Sequence, residues 1–325
     1  MGRAVSHADA ALSGKAMDRA ATIAPMKILL ALRPCSPGLA HRVAADEALA
    51  KALGAKPNPA VGYLFPRFFD AAGPVLPKLL ELADGEAVSF LRDLQCAPAE
   101  LESCSHFEAL CRSTIGQSRA DSKATMTAYH QDTLHPTASR WAVRLPQRIY
   151  LSKPVADGAI SHVDEWTGEY VLGPQAAQAL RASGLTGFEL RPVLHQKAET
   201  PSEAAQHLVA RELLPAALED ATTFETFDDG PRQPSTPRRY GLLSYPQGAL
   251  DESPDLARTA EPWGAWRTPV WIARQQAKAW FEAAQVRGWK FQPVLAAGSR
   301  LHLEHTQRWD DLLGKLRGAG AAVLT

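Results

Sequence analysis

Cysteine is scarce in this chain, and no cysteines are paired at a metal-binding spacing. The 325 residues include only Cys35, Cys96, Cys104 and Cys111, with no CxxC or CxxxC pair among them. A zinc knuckle needs such close pairs, so no metal site is predicted. Because no secretory signal is visible, structural disulfides also lose support. We expect reduced cysteines that pack as small apolar residues.

A net charge and long apolar runs are missing as well. The 35 Lys and Arg balance the 35 Asp and Glu, which gives a formal net charge of zero. No global field would attract nucleic acid or an anionic membrane. No apolar run approaches the roughly 18 residues of a membrane helix, and residues 1–25 lack the apolar middle of a secretory signal. We expect a flexible N-terminal extension at 1–25, a cytoplasmic location, and neither nucleic acid nor membrane as a partner.

Familiar catalytic motifs are absent too. The sequence contains no GxSxG, GxxxxGK[ST], HExxH or GxGxxG, so no catalytic residue and no cofactor are predicted. The densest set of chemical groups is His302-Leu-Glu-His305. On a helix His302 and His305 would share a face, and on a strand His302 and Glu304 would, so either geometry could hold a metal or relay a proton. The alternative is a terminal strand whose Leu301 and Leu303 point inward, with His302 and Glu304 solvated.

What the sequence does contain is an internal repeat. Residues Tyr170 to Leu194 recur in altered form at Trp271 to Leu295, displaced by 101 residues. The matched positions include Gly187 with Gly288 and the two Pro-Val-Leu ends. Small and apolar residues fall at i, i+3, i+4 and i+7 in both copies, which predicts a helical face. Each copy therefore predicts strand, helix, strand, with the glycines supplying the turn before the second strand.

The rest of the chain divides by composition. Helical patterns at Val43–Leu53, Ala87–Leu94 and Ala99–Cys111 predict a helical region over 26–120. The polar run that follows predicts a linker at 121–139. Residues 140–325 then form an α+β region, with repeat units at about 166–195 and 266–296. The predicted fold class is α+β, with a helical N-terminal region followed by two strand-helix-strand units on mixed sheets.

One further helix is predicted between the two repeat units. Thr200-Pro-Ser-Glu203 has the form of a capping box with proline at the first helical position. Apolar residues follow it at helical spacing. The pattern predicts a helix over Glu203–Leu218.

Two tryptophans stand in a loop-like segment. Trp263 and Trp266 lie in EPWGAWRTP, which contains proline and glycine. Tryptophan is enriched among interface hot spots, so these residues are candidate anchors for a protein partner, the alternative being local packing. Together with His302, Glu304 and His305 they form the predicted partner-binding set.

The phrase LTGFELRPV (Leu185 to Val193), preceded by a helix, resembles predicted immunity proteins of bacterial polymorphic toxin systems, including the double-CxxCG motif proteins. The resemblance covers Tyr170 to Leu194 and, more faintly, Trp271 to Leu295. Both CxxCG pairs of that family are missing here, so no metal site is carried over. The resemblance implies a non-enzymatic protein that binds and neutralises a cognate toxin inside the producing cell.

Two other function classes compete with this one. The first is an enzyme with an unfamiliar active site near His302, Glu304 and His305. The second is a scaffold or regulatory binding protein from another system. A metal bound in stoichiometric amount and lost with both histidines would favour the enzyme.

Overall fold

The computed structural model describes residues 26–33, 35–137, 142–145, 148–163, 168–218, 224–227, 236–239, 241–263 and 268–324. They form an α+β fold, which confirms the predicted class. The helices are α1 (Pro37–Ala45), α2 (Glu47–Leu53), α3 (Val75–Ala83), α4 (Pro98–Glu102), α5 (Arg119–Gln131), α6 (Pro174–Ala182), α7 (Gln275–Ala283) and α8 (Arg300–Gly318). The strands are β1 (Lys27–Leu32), β2 (Lys56–Asn58), β3 (Gly62–Leu64), β4 (Phe69–Asp70), β5 (Ser89–Gln95), β6 (His106–Cys111), β7 (Leu134–Pro136), β8 (Ala142–Arg144), β9 (Ile160–His162), β10 (Tyr170–Leu172), β11 (Phe188–Leu194), β12 (Pro201–Ala210), β13 (Phe224–Phe227), β14 (Thr236–Arg239), β15 (Ser244–Tyr245), β16 (Leu256–Trp263), β17 (Thr268–Arg274), β18 (Trp289–Pro293), β19 (Leu295–Ala296) and β20 (Ala322–Leu324).

The two ends of the described chain meet in one layer. The strand order is β20-β5-β1-β4, with β20 parallel to β5 and the other pairs antiparallel. Side chains of α1, α2, α3 and α8 share one apolar core with this sheet, in which Trp309 of α8 is fully buried. Residues 26–95 and 300–324 therefore form one unit. The α+β region predicted at 140–325 thus gives its last helix to the N-terminal part of the fold.

The two repeat units have the predicted strand-helix-strand form. The first consists of β10, α6 and β11, and the second of β17, α7 and β18. Pro174 opens α6 at its first position, and Gly184 follows the helix with φ +74°. Both turn glycines have positive φ, 87° at Gly187 and 107° at Gly288. Other residues are strained in that conformation, which explains why glycine recurs there.

Each unit lies in an antiparallel four-stranded sheet with the same layout. The first sheet has the order β9-β10-β12-β11 and the second β16-β17-β6-β18. In the first, the strand between the unit's own strands is β12, which follows the unit in sequence. In the second, β6 takes that place, although it precedes both units. The register agrees, since Tyr170 pairs with Leu208 and the equivalent Trp271 pairs with Ala109.

The units pack against each other through reciprocal contacts. Ile160 N donates to Arg287 O at 2.9 Å, and Leu256 N donates to Thr186 O at 3.1 Å. These two bonds occupy equivalent positions, because Thr186 and Arg287 are 101 residues apart. A Cβ at Gly288 would overlap the carbonyl oxygen of Ile160, and one at Gly187 would overlap that of Leu256. Glycine is therefore required at both positions, for the turn and for the close approach of the two units. Side chains of α6 and α7 join those of the two sheets in one apolar core.

Two helices predicted in the N-terminal region are wrong. Residues Ala87–Leu94 fall mainly in β5, which pairs with β1 along its length. Phe90 and Leu94 are buried while Leu91 is 45% exposed. A spacing of four residues suits a strand face as well as a helix face, so the pattern alone was ambiguous. In Ala99–Cys111 only the start is helical, in α4, and the rest is the buried central strand β6.

The predicted helix over Glu203–Leu218 is also wrong, because the segment begins with β12. This strand pairs with β10 on one side and β11 on the other. Its backbone groups therefore have ladder partners on both sides, and this tertiary pairing outweighs the capping-box pattern. Ala205, His207 and Leu208 are buried within it.

The predicted linker at 121–139 contains α5 and β7 instead. Ser118 caps α5 by accepting a hydrogen bond from Asp121 N at 3.1 Å. The buried face of this helix is built from Asp121, Thr125, Ala128 and Tyr129. Because polar residues make up half of that face, hydropathy did not reveal it. The predicted N-terminal extension at 1–25 lies outside the described residues.

Candidate functional site

The His302-Leu-Glu-His305 sequence lies in the first turns of α8. Ser299 caps the helix by accepting a hydrogen bond from His302 N at 3.2 Å. His302 and His305 are 7% and 4% exposed. Gly298 N donates to His302 Nδ1 at 3.2 Å, and Leu242 N donates to His305 Nε2 at 2.9 Å. Both imidazoles therefore anchor backbone segments from inside the fold.

This placement corrects the prediction that His302 and His305 contact a partner. The interpretation of a terminal strand with a solvated His302 is also wrong, because the segment is helical and His302 is buried. Within the described residues, no group of three or more His, Cys, Asp or Glu is arranged to hold a metal ion. At the place where the enzyme hypothesis put an active site, both imidazoles are engaged by backbone N–H groups.

Glu304 behaves differently from the two histidines. Its carboxylate lies on the solvent side of α8 and accepts a hydrogen bond from Arg300 Nε at 2.7 Å. That hydrogen bond lowers the pKa of the Glu304 carboxyl from its ordinary value. Of His302, Glu304 and His305, only Glu304 lies both at the surface and beside a cavity.

That cavity is a groove of about 720 Å³ between α8 and the segment that links α4 to β6. We call it the α8 groove. One wall carries Ser103, Cys104 and Ser105, the other carries Arg300, Leu301, Glu304 and Arg308, and the floor is formed by Val294, Leu295 and Ala296. Arg308 is fixed by donating from Nη1 to Met26 O at 2.6 Å. The groove thus combines apolar surface with exposed charges of both signs.

Cys104 does not make the groove a nucleophilic site. Burial raises the pKa of the Cys104 thiol, and it raises the pKa of the nearby Cys96 to about 12. The thiolate is the reactive form of cysteine, and these raised pKa values disfavour it at neutral pH. All four cysteines are free and half-buried.

A second candidate site lies where the two repeat units meet. Glu169, just before β10, is 1% exposed and accepts from Arg258 Nη1 at 2.9 Å. Its other oxygen lies 2.7 Å from His207 Nε2. Arg258 also donates from Nη2 to Gly168 O at 3.1 Å and lies 5.2 Å from the centre of the Trp271 ring. Arg258 comes from the sheet of the second unit, so this buried cluster ties the two units together.

The electrostatics of the cluster favour a fixed ion pair. Burial would raise the pKa of the Glu169 carboxyl, but Arg258 and the His207 hydrogen bond hold it below its ordinary value. Glu169 is therefore ionised and both of its oxygens are occupied. A buried carboxylate with both oxygens bonded is poorly placed to accept a substrate proton.

A cavity of about 350 Å³ adjoins this cluster, and we call it the arginine cavity. It is lined by Leu145, Glu169, Glu189, Arg191, Val209, Ala210, Arg211 and Arg258. Glu189 and Arg191 form an ion pair with each other across one β11 residue. Arg211 is exposed at the rim.

Of the two predicted tryptophan anchors, only the backbone of Trp263 lies within the described residues. Trp263 ends β16, and its backbone pairs with that of Thr268, the first residue of β17. Trp266 lies outside the described residues. The role of these two tryptophans as partner anchors therefore stays a prediction.

The cluster of Glu169, His207 and Arg258 is not predicted by any sequence pattern. The pattern around His207 predicts a helix, and the three residues lie far apart along the chain. The one available clue was an acidic residue directly before the repeated strand. In the second unit the equivalent position holds Val270.

Comparison of the chain with protein-family models gave no match, and comparison with curated proteins gave none either. The resemblance of Tyr170 to Leu194 to immunity proteins therefore stays a prediction. No helix in the described part of the chain has the length and apolar character that a membrane crossing requires.

Proposed function

We propose that this protein binds another protein and blocks its action without catalysing a reaction, as an immunity protein does for the toxin of its own cell. The observation that carries the proposal is the α8 groove, whose mixed apolar and charged lining is typical of a protein-binding surface. The partner we expect is a cognate bacterial toxin, as the resemblance of the repeat implies. No metal and no cofactor enter the proposal.

The internal charges support a binding role over catalysis. Glu169 is engaged by Arg258 and His207, and His302 and His305 each accept a backbone N–H. These groups serve the architecture of the fold. In the groove, by contrast, Arg300 and Glu304 form an ion pair whose two side chains remain accessible to a partner.

The repeat supplies a rigid support for such a surface. Trp289 and Phe291 of β18 stack at 5.9 Å, and Phe281 of α7 packs on both. The groove floor follows β18 directly. A preorganised surface loses little conformational entropy on binding, which favours tight association.

A groove-filling substitution tests the proposal. Ala296 is exposed on the groove floor, so Ala296→Trp fills the groove without removing a core side chain. Ala60→Trp, at an exposed turn outside the groove, is the matched control. We expect the wild type and Ala60→Trp to rescue growth when co-expressed with the candidate toxin encoded by the adjacent gene, and Ala296→Trp to lose at least tenfold in affinity.

Two outcomes would contradict the proposal. If the wild type neither rescues growth nor forms a stable complex with that toxin, the immunity role is wrong. If the complex forms but Ala296→Trp binds as tightly as Ala60→Trp, the groove is not the binding surface. Binding to another protein without rescue would favour the scaffold or regulatory role.

A further inference from the structure

The arginine cavity is separate from the α8 groove and is built differently. Charged side chains form its floor and rim, and apolar side chains form part of its wall. We propose that this cavity binds a carboxylate group carried on a short aliphatic stem. The inference goes beyond the proposed function, because it concerns another surface and a defined ligand chemistry.

Arg258 supplies a fixed cationic floor. Glu169 and Gly168 each accept one N–H from a different terminal nitrogen of its guanidinium. Each terminal nitrogen carries two N–H groups, so each keeps one for another acceptor. The Trp271 ring beneath holds the guanidinium plane in place. A guanidinium fixed in this way loses little freedom when it binds a carboxylate, and its planar fork matches carboxylate geometry.

The charge of the lining selects a monoanion. Among the described residues that line the cavity are three arginines and two glutamates, which together carry one positive charge in excess. A single carboxylate neutralises that excess. A phosphate dianion would overcompensate and would also lie beside the carboxylates of Glu169 and Glu189, which repel it.

The apolar wall selects the rest of the ligand. Leu145, Val209 and Ala210 face the same cavity. Burial of one or two methylene groups against them would raise the affinity about fourfold for each group. The volume of about 350 Å³ is at the small end of ligand pockets. An aspartate or glutamate side chain, or a small free acid such as butyrate, has the required shape.

Arg211 is the residue best suited to a test. It is exposed at the rim, so its removal should leave the fold intact. Arg119, exposed at the start of α5 and outside the cavity, is the matched control. A solvent-screened arginine that reaches an anion contributes a modest amount, and we expect Arg211→Ala to weaken binding about fivefold.

The experiment is a ligand-observed NMR titration of the full chain with four probes. These are butyrate, the blocked peptide acetyl-Ala-Glu-Ala-amide, its neutral counterpart acetyl-Ala-Gln-Ala-amide, and inorganic phosphate, which is observed through its phosphorus nucleus. We expect saturable millimolar binding of at least one carboxylate probe, about fivefold weaker in Arg211→Ala and unchanged in Arg119→Ala. Binding of butyrate alone identifies a free acid as the ligand, and binding of the glutamate peptide identifies an acidic side chain.

Three results would overturn the inference. They are equal binding of the glutamine and glutamate peptides, tighter binding of inorganic phosphate than of either carboxylate, and equal losses in Arg211→Ala and Arg119→Ala. If Arg211→Ala does not fold, Arg211→Gln takes its place. The outcome does not depend on the toxin, so its failure is distinct from failure of the proposed function.

Discussion

The first and second repeat units share a backbone layout but complete it with strands from opposite directions in the chain. The first takes β12 from the sequence after it, and the second takes β6 from the sequence before both. Loop-closure entropy grows only slowly with loop length, so a distant strand costs little more than a near one. The pairing surface of a strand, more than its order in the chain, therefore decides which strand fills the central place.

The units also differ in what equivalent positions carry. Glu169 of the first corresponds to the half-buried Val270 of the second, and His207 corresponds to Glu108. The shared glycines and apolar positions hold the common backbone. The buried ion pair occurs once, at the junction, where Arg258 of the second sheet reaches Glu169. The positions that the units share therefore account for the common scaffold, and the positions that differ account for the polar sites.

The largest expected effect comes from making the first unit resemble the second at this position. In Glu169→Val the buried guanidinium of Arg258 loses its charged partner, and we expect a loss of about 3–5 kcal/mol in the free energy of unfolding. Urea unfolding at neutral pH measures it. Glu189→Val, at a partly exposed ion pair on the same cavity, should cost less than about 1 kcal/mol.

The double variant Glu169→Val, Arg258→Met sharpens this test. It removes the stranded charge as well, so most of the lost stability should return. If Glu169→Val alone is as stable as the wild type, the ion pair does not hold the units together.

A second prediction tests whether the turn glycines of the two units, Gly187 and Gly288, contribute equally to stability. In Gly187→Ala and Gly288→Ala the new Cβ overlaps a backbone carbonyl of the other unit, and φ is positive at both positions. We expect each to cost about 2–4 kcal/mol in the free energy of unfolding, because the steric overlap adds to the left-handed strain. Gly184→Ala is the control, since φ is also positive there but nothing lies within 4 Å of a Cβ.

The control separates strain from contact. Gly184→Ala should cost only about 1 kcal/mol, the contribution of the left-handed backbone alone. If all three variants lose the same stability, the reciprocal packing of the units adds nothing. If Gly187→Ala and Gly288→Ala differ strongly from each other, the two contacts are not equivalent.

The repeat could be predicted from sequence because its determinants are local. Gly187 and Gly288 indicate a turn with positive φ, and the spacing of the apolar residues indicates the buried face of a helix. The partner strands could not be predicted, because pairing of β6 and β12 is a tertiary event. Thr200 to Glu203 carried a helix-start pattern, yet β12 has strand partners on both sides.

The candidate sites were predictable to a smaller extent. Glu304 was identified from its motif, whereas the burial of His302 and His305 follows from packing against other elements. Glu169 and Arg258 lie 89 residues apart in sequence. No local pattern connects residues at such a distance, so the cluster could be found only once the sheets were in place.

The smallest effect concerns a hydroxyl that the first unit has and the second lacks. Tyr170 Oη accepts a hydrogen bond from Cys111 N at 3.2 Å and donates to Ala109 O at 3.3 Å, whereas the equivalent residue is Trp271. Tyr170 is buried, so in Tyr170→Phe the bonded groups on β6 receive no water in exchange.

We expect Tyr170→Phe to lose about 1–2 kcal/mol in the free energy of unfolding, measured by urea denaturation. Tyr150→Phe is the control, because the Tyr150 hydroxyl donates to the exposed Glu199 at 2.8 Å, where water can replace it. A smaller loss for Tyr150→Phe would show that the Tyr170 hydroxyl bonds the first unit to β6, the central strand of the second sheet. Equal losses would mean that apolar packing alone joins the units at this point.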